Sequence, residues 1–207
     1  GDDELANAAD KIYANAIDRK EYITGGVGAE PKSEAFGKDY DLRQNGYCES
    51  CASCGMSFWS TELHALHGSP RTEDVRERLL YNNLLGSISA DGENFYYQNP
   101  LDQDNMRYPW HGCPCCVGNI PRTLFALKDT LFSVSADGKT LWVDHFMDIE
   151  NATAEVGGAK VKIRMETGYP DNGMVKLTFT PDRAAAFKIV VRFPDRTESE
   201  LYYATPE

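Results

Sequence analysis

Residues 119–147, NIPRTLFALKDTLFSVSADGKTLWVDHFM, decide the fold class, because the spacing of apolar side chains changes within them. Asn119 is a good helix N-cap and Pro121 falls near the first turn of a helix. Ile120, Leu124, Phe125, Leu127 and Leu131 then recur at helical spacing. Beyond Phe132 the text breaks into short β-rich runs, LWVDHFM, AKVKIRMET, MVKLTFT and AFKIVVRF. Asp137-Gly138, Gly157-Gly158 and Asp171-Asn172-Gly173 punctuate them. Strands at this regular spacing predict an antiparallel β-sandwich. The chain therefore reads as α+β and multidomain, with a helical part over 1–132 and a β-sandwich over 133–207.

N-terminal to this boundary the helical rhythm dominates. Residues 4–20 place Leu5, Ala8, Ala9, Ile12, Ala16 and Ile17 on one amphipathic face with no Pro or Gly. A loop of more than twenty residues follows, up to Gly46, and a loop that long in a compact domain is usually functional. A second helix is expected from Ala52 to His67, ended by Gly68-Ser69-Pro70. A third, capped by Thr72, should run from Glu73 to Leu85 and close at Gly86. Alternation around Asp91-Gly92, with Phe95 and Tyr97 among polar neighbours, predicts a short β-hairpin over 87–100. The tail beyond Pro194 has no period, and no structure is expected of it.

Composition narrows the partners. Of 207 residues, 42% are hydrophobic and 26% charged, which excludes a disordered or collagen-like chain. No run approaches the ~18 apolar residues of a membrane span, and Gly1-Asp2-Asp3-Glu4 is acidic where a leader would be basic. A net charge of −11 repels phosphate backbones and anionic membranes, so neither nucleic acid nor membrane is expected as a partner.

The six cysteines fall into two clusters, Cys48, Cys51 and Cys54, then Cys113, Cys115 and Cys116. Each cluster stands just before a predicted helix, where free N–H groups and the helix dipole favour thiolate. Zinc, which accepts thiolate and carboxylate ligands, suits such a set. The Cys-x₂-Cys-x₂-Cys run alone would equally suit an iron–sulfur cluster. Buried structural cysteines are the third reading. Spacing does not choose among them or name the four ligands.

Longer strings add what spacing lacks. YITGGVGAEPKSEAFGKDYDL (22–42), YCESCASCGMSFW (47–59), ERLLYNNLLG (77–86), DGENFYYQNPL (91–101) and WHGCPCCVGNIPR (110–122) resemble the β-L-arabinofuranosidase glycoside hydrolases of families 127 and 146, in the family's order. EVGGAKVKIRMETGYPDNGMVKLTF (155–179) is similar to that family's β-sandwich. The resemblance implies part of an (α/α)6 barrel, a zinc ion and retaining hydrolysis by a cysteine nucleophile. It implies Glu49, Cys51, Cys115 and Cys116 as metal ligands, Cys115 as nucleophile and Glu34 as acid/base. Glu77 and Tyr97 match positions that contact the sugar. The substrate implied is an oligosaccharide or glycoside with a terminal furanoside, most of all β-L-arabinofuranose.

Cys48, Cys54 and Cys113 exceed the implied ligand set. His64 and His67 are expected to be helix-surface or core residues, and His111 a capped loop residue, with a role as metal ligand or as donor to a ligand as its alternative. The helices read here are too few to close such a barrel. Either a missing half or self-association through uncovered apolar helix faces is therefore implied. The alternative function is a non-catalytic carbohydrate-binding or structural module that keeps zinc for stability; a redox protein built on the thiols is the third. Metal-bound thiols predict a cytoplasmic protein, with periplasm or secretion as the alternative.

Overall fold

The computed structural model describes residues 2–102 and 106–195. Helix α1, Asp3–Arg19, begins where the Asp2 carboxylate accepts from the Glu4 and Leu5 amides, and it buries Tyr13 and Ala16. Helix α2, Ser50–His67, ends at Gly68, whose φ of 61° is the left-handed cap that glycine takes without a Cβ clash. Helix α3, Pro70–Leu79, continues as one π-helical turn over Leu80–Leu84. Helix α4, Cys115–Ala126, passes into a 3-10 turn at Leu127–Thr130. Tyr13, Val27, Met56, Leu63, Val75 and Leu79 form one apolar core among α1, α2 and α3. Leu80, Leu84, Cys54, Cys116 and Ile120 form another between α2 and α4.

Three details depart from the sequence reading. Helix α4 starts at Cys115, not after Asn119, so Asn119 lies inside the helix. Thr72 does not cap α3; Pro70 occupies the first turn after Ser69, and the Thr72 hydroxyl donates to the Ser69 carbonyl at 2.7 Å. The expected hairpin is reduced to isolated bridges, Ile88↔Phe95 and Phe95↔Tyr108, because Phe95 pairs on both sides within a tightly turned loop.

Among the described residues, the C-terminal part forms two three-stranded sheets. The first orders β1 (Phe132–Val134), β2 (Thr140–Val143) and β6 (Lys188–Val191); the second orders β3 (Ile149–Val156), β4 (Ala159–Thr167) and β5 (Val175–Pro181). Strand β4 shows the pattern of a one-sided sheet. Ala159, Val161, Ile163 and Met165 are buried while Lys160, Lys162 and Arg164 face out. Leu141 of β2 packs with Val156, Val161 and Ile163, so the two sheets share apolar contacts. The expectation of purely antiparallel pairing is corrected at β6, which runs parallel to β2 with Leu141 opposite Ile189. The chain reaches β6 only after crossing the whole second sheet, so no tight hairpin dictates an antiparallel return. Asp195 closes the described region, and residues 196–207 of the expected irregular tail lie outside it.

Charged side chains join the helices to the sheets. Arg192, just past β6, is buried and donates to the Asp144 carbonyl at 2.6 Å, to Asp74 Oδ1 at 2.5 Å and to Glu77. Glu73, fully buried, pairs with Arg76 at 2.9 Å and lies 2.5 Å from His145. Buried carboxylates and guanidinium groups persist only when paired in this way.

Candidate metal centre and active site

Two helix starts meet at the site. Cys51 lies in the first turn of α2, Cys115 and Cys116 open α4, and Glu49 immediately precedes α2. Residues 47–50 are zipped to 97–99 by an antiparallel bridge between Glu49 and Gln98. The Ser50 amide donates to the Tyr97 carbonyl at 2.9 Å, and the Asn99 amide donates to the Tyr47 carbonyl at 3.1 Å. The Asn99 side chain adds bonds to the Cys48 carbonyl and Ser50 Oγ, both at 3.0 Å. This ladder sets Glu49 and Tyr97 in register beside the sulfurs.

One ligand atom from each of Glu49, Cys51, Cys115 and Cys116 lies within 4.8 Å of every other. Cys116 Sγ is 3.2 Å from Cys51 Sγ and 4.0 Å from Cys115 Sγ. Glu49 Oε1 is 3.6 Å from Cys115 Sγ and 3.5 Å from Cys116 Sγ. Ligands of a tetrahedral zinc ion, with sulfur at ~2.3 Å and oxygen at ~2.0 Å, stand ~3.8 Å apart for S···S and ~3.5 Å for S···O. The cluster therefore has the span that zinc requires. All six cysteines are free thiols, and 3.2 Å is far beyond the ~2.05 Å of a disulfide.

Burial pushes the Cys51 thiol up to about 12, opposed by the Asn119 amide, and burial beside Cys51 pushes Cys116 higher still. Three sulfurs and a carboxylate this close are a poor home for several negative charges unless a cation joins them. The donor set thus fits a zinc ion by number, spacing and chemistry.

Cys115 is the sulfur on the open side. It lines a cavity of about 340 Å³ together with Glu34, Tyr47, Glu49, Tyr97, Gln98, Tyr108, His111 and Cys113. The Tyr97 hydroxyl lies 3.2 Å from Cys115 Sγ, and burial raises the Tyr97 phenol well above its usual range, so it stays protonated. Glu34 ends the turn closed by the Glu30↔Ala35 bridge, and its φ of 53° is a left-handed conformation that a non-glycine residue takes only under local constraint. Its carboxylate accepts a hydrogen bond from the Tyr47 hydroxyl at 3.1 Å. The His111 ring stacks on Tyr97 with centroids 4.1 Å apart, and its Nδ1 accepts from the Cys113 amide at 3.2 Å.

The structure thus gathers Glu34, Glu49, Cys51, Tyr97, Cys115 and Cys116 into one region. It does not bring Glu77 there. The Glu77 carboxylate accepts from Tyr169 at 2.5 Å and from Arg192 at the junction with the sheets, and it lines no part of the cavity. Cys48 and Cys54 are buried in packing, whereas Cys113 is exposed with Sγ 3.6 Å from Cys115 Sγ. The sequence pattern gives Tyr47 no role at the site and marks Asn119 only as a helix cap. His111, expected as a capped loop residue with a ligand or donor role as the alternative, instead packs its ring against Tyr97, a contact that leaves no spacing signal. His64 is buried and its two ring nitrogens face the Ser69 carbonyl and Asp144, each at 3.0 Å, while His67 pairs with Asp10 on the surface.

A thiol-rich cluster that could hold a metal ion thus opens on a carboxylate-bearing, aromatic-walled cavity, and comparison with known proteins supplies the family. Residues 1–129 match the family described as β-L-arabinofuranosidase, GH127 catalytic domain, and the chain belongs to that family. The non-reducing end β-L-arabinofuranosidase of Bifidobacterium longum subsp. longum is 32% identical over 93% of this chain and 31% of its own length. A solved GH127 β-arabinofuranosidase is 38% identical with a TM-score of 0.88, over 94% of this chain and 30% of that one. A GH127 β-L-arabinofuranosidase from Geobacillus stearothermophilus T6 is 32% identical, also with a TM-score of 0.88, over 94% and 32%. The chain therefore spans less than a third of the length of each of these relatives.

Proposed function

We propose that this chain carries the metal centre and reacting groups of a retaining glycoside hydrolase that releases terminal furanosides, β-L-arabinofuranose above all. The observation that carries the reading is the convergence of Glu49, Cys51, Cys115 and Cys116 at the wall of a cavity that also holds Glu34. In this reading residues 1–132 are part of an (α/α)6 barrel, residues 133–207 a β-sandwich, and the remaining barrel wall comes from outside this chain.

Glu49, Cys51, Cys115 and Cys116 would hold zinc, which when bound keeps its sulfur ligands deprotonated at neutral pH. Cys115, on the cavity side, attacks the anomeric carbon; a C–S bond forms and the glycosidic C–O bond breaks. Glu34 gives its proton to the departing oxygen. Water then attacks the same carbon, the C–S bond breaks, and Glu34 takes the water proton back, so configuration is retained after two inversions. Tyr97, donating to Cys115 Sγ, and the stacked His111 wall the space that the sugar ring would enter.

The test is release of arabinose from p-nitrophenyl β-L-arabinofuranoside by the complete protein, with Cys115→Ser and Glu34→Gln each lowering kcat by ~10³-fold or more, as expected when a nucleophile or acid/base group is removed. Sugar binding without turnover in the unaltered protein would overturn the reading in favour of a binding module.

A further inference from the structure

Asn119 lies in the second turn of α4, where asparagine is a weak helix former because its side chain competes for nearby backbone groups. Here the amide reaches across to another helix. Nδ2 donates to Cys51 Sγ at 3.1 Å, bridging 68 positions of sequence. Helix geometry explains the reach: Asn119 is three residues beyond Cys116 and four beyond Cys115, so all three share the face of α4 turned toward the start of α2. The next turn is secured separately, by the Thr123 hydroxyl donating to the Asn119 carbonyl at 2.9 Å.

The ligand sulfurs are therefore not equivalent. Cys115 Sγ faces the cavity and meets a phenol hydroxyl. Cys51 Sγ has Cys116 on one side and a carboxamide N–H on the other. We infer that Asn119 is the positioning residue that fixes Cys51 as a permanent ligand of the metal, by donating an amide N–H to its thiolate. This rests on the zinc–thiolate reading proposed above. A hydrogen bond to an ionised sulfur is charge-assisted and stabilises the thiolate against protonation and loss from the metal. It also orients the ligand, and removing such an outer partner typically weakens metal binding by ~10–100-fold. Cys115 has a different partner, the Tyr97 hydroxyl on the cavity side, so the two sulfurs are held in different surroundings.

The experiment measures metal binding and needs no substrate. The reduced, metal-free protein is titrated with zinc against a chromogenic chelator, alongside Asn119→Ala and the isosteric Asn119→Asp. The expected result is a zinc Kd raised about 10-fold in Asn119→Ala and more in Asn119→Asp, where a carboxylate replaces the donor. Cobalt(II) supplies a second readout, the sulfur-to-metal charge-transfer band, which should move to lower energy when the hydrogen bond is lost. Unchanged Kd and unchanged band in both variants, with the unaltered protein binding both metals, overturn the role of Asn119 alone. An unaltered protein that binds neither metal overturns the metal reading itself, and the role of Asn119 with it.

Discussion

Replacing Arg192 by Met tests how the helices are fastened to the sheets. The side chain is 3% exposed, and the three guanidinium nitrogens reach the Asp144 carbonyl, Asp74 and Glu77. Methionine fills similar length but offers no donor, so two carboxylates and one carbonyl lose their shared partner. Removing one member of a buried ion pair costs ~3–5 kcal/mol, because the charge left behind is uncompensated. For a chain of this size that corresponds to a fall in Tm of roughly 6–20 °C.

The loss should also depend on pH in a defined direction. Burial already holds the Asp74 carboxyl above the usual range, with Arg192 opposing it. Without Arg192 it rises further, so the native state binds a proton that the unfolded chain lacks, and stability falls as pH rises through that interval. The deficit of Arg192→Met relative to the unaltered protein is therefore largest at neutral pH and narrows as pH falls toward the ordinary aspartate value of ~3.9. Urea unfolding of both proteins at pH 7 and at pH 4.5 measures it. A deficit under ~1 kcal/mol at pH 7, typical of an exposed pair, would show that Arg192 does not fasten the helices to the sheets, as would a deficit that grows on acidification.

Two further outcomes follow from the same physical arguments. At Gly25 (φ 79°) a Cβ would sit 2.5 Å from Leu79 Cα, so Gly25→Ala meets backbone that cannot yield; unfolding should show a loss of at least ~2 kcal/mol from left-handed strain and overpacking, and a loss under ~0.5 kcal/mol would contradict this. At His64 burial opposes the charge, but Asp144 and the Ser69 carbonyl outweigh it, so its pKa is raised. That stabilisation is complete below the unfolded value of ~6.5 and disappears as pH rises through the higher folded value. Asp144→Asn should consequently cost more stability at pH 6 than at pH 8.5, and equal losses at both would refute the pairing.

The sequence made the helix and strand rhythms legible wherever apolar residues repeat along one face, as in α1 and β4. Boundaries set by the site itself were harder to read. Asn119 has the chemistry of an N-cap, but its amide is used on Cys51, and α4 begins four residues earlier so that Cys115 and Cys116 occupy its first turn. The four residues of the candidate metal cluster stand out only through a motif, since nothing in the spacing distinguishes Cys51 from Cys48 or Cys54. Glu77 shows the converse: its motif suggested the sugar site, while an arginine 115 positions away holds it at the sheet junction. Arg192, Asp144 and His145 sit in or beside strand runs, where alternation predicts an outward polar residue or a buried apolar one. A buried ion network breaks that rule and leaves no periodic trace.

In the proposed site, sulfur from two separate helix starts shares one zinc ion with Glu49. X-ray absorption at the zinc edge, on reduced protein of measured metal content, tests it most directly. The expected result is about one zinc per chain with three sulfur neighbours at ~2.3 Å and one oxygen at ~2.0–2.2 Å. Less than half an equivalent of zinc, or a first shell without sulfur, would contradict it.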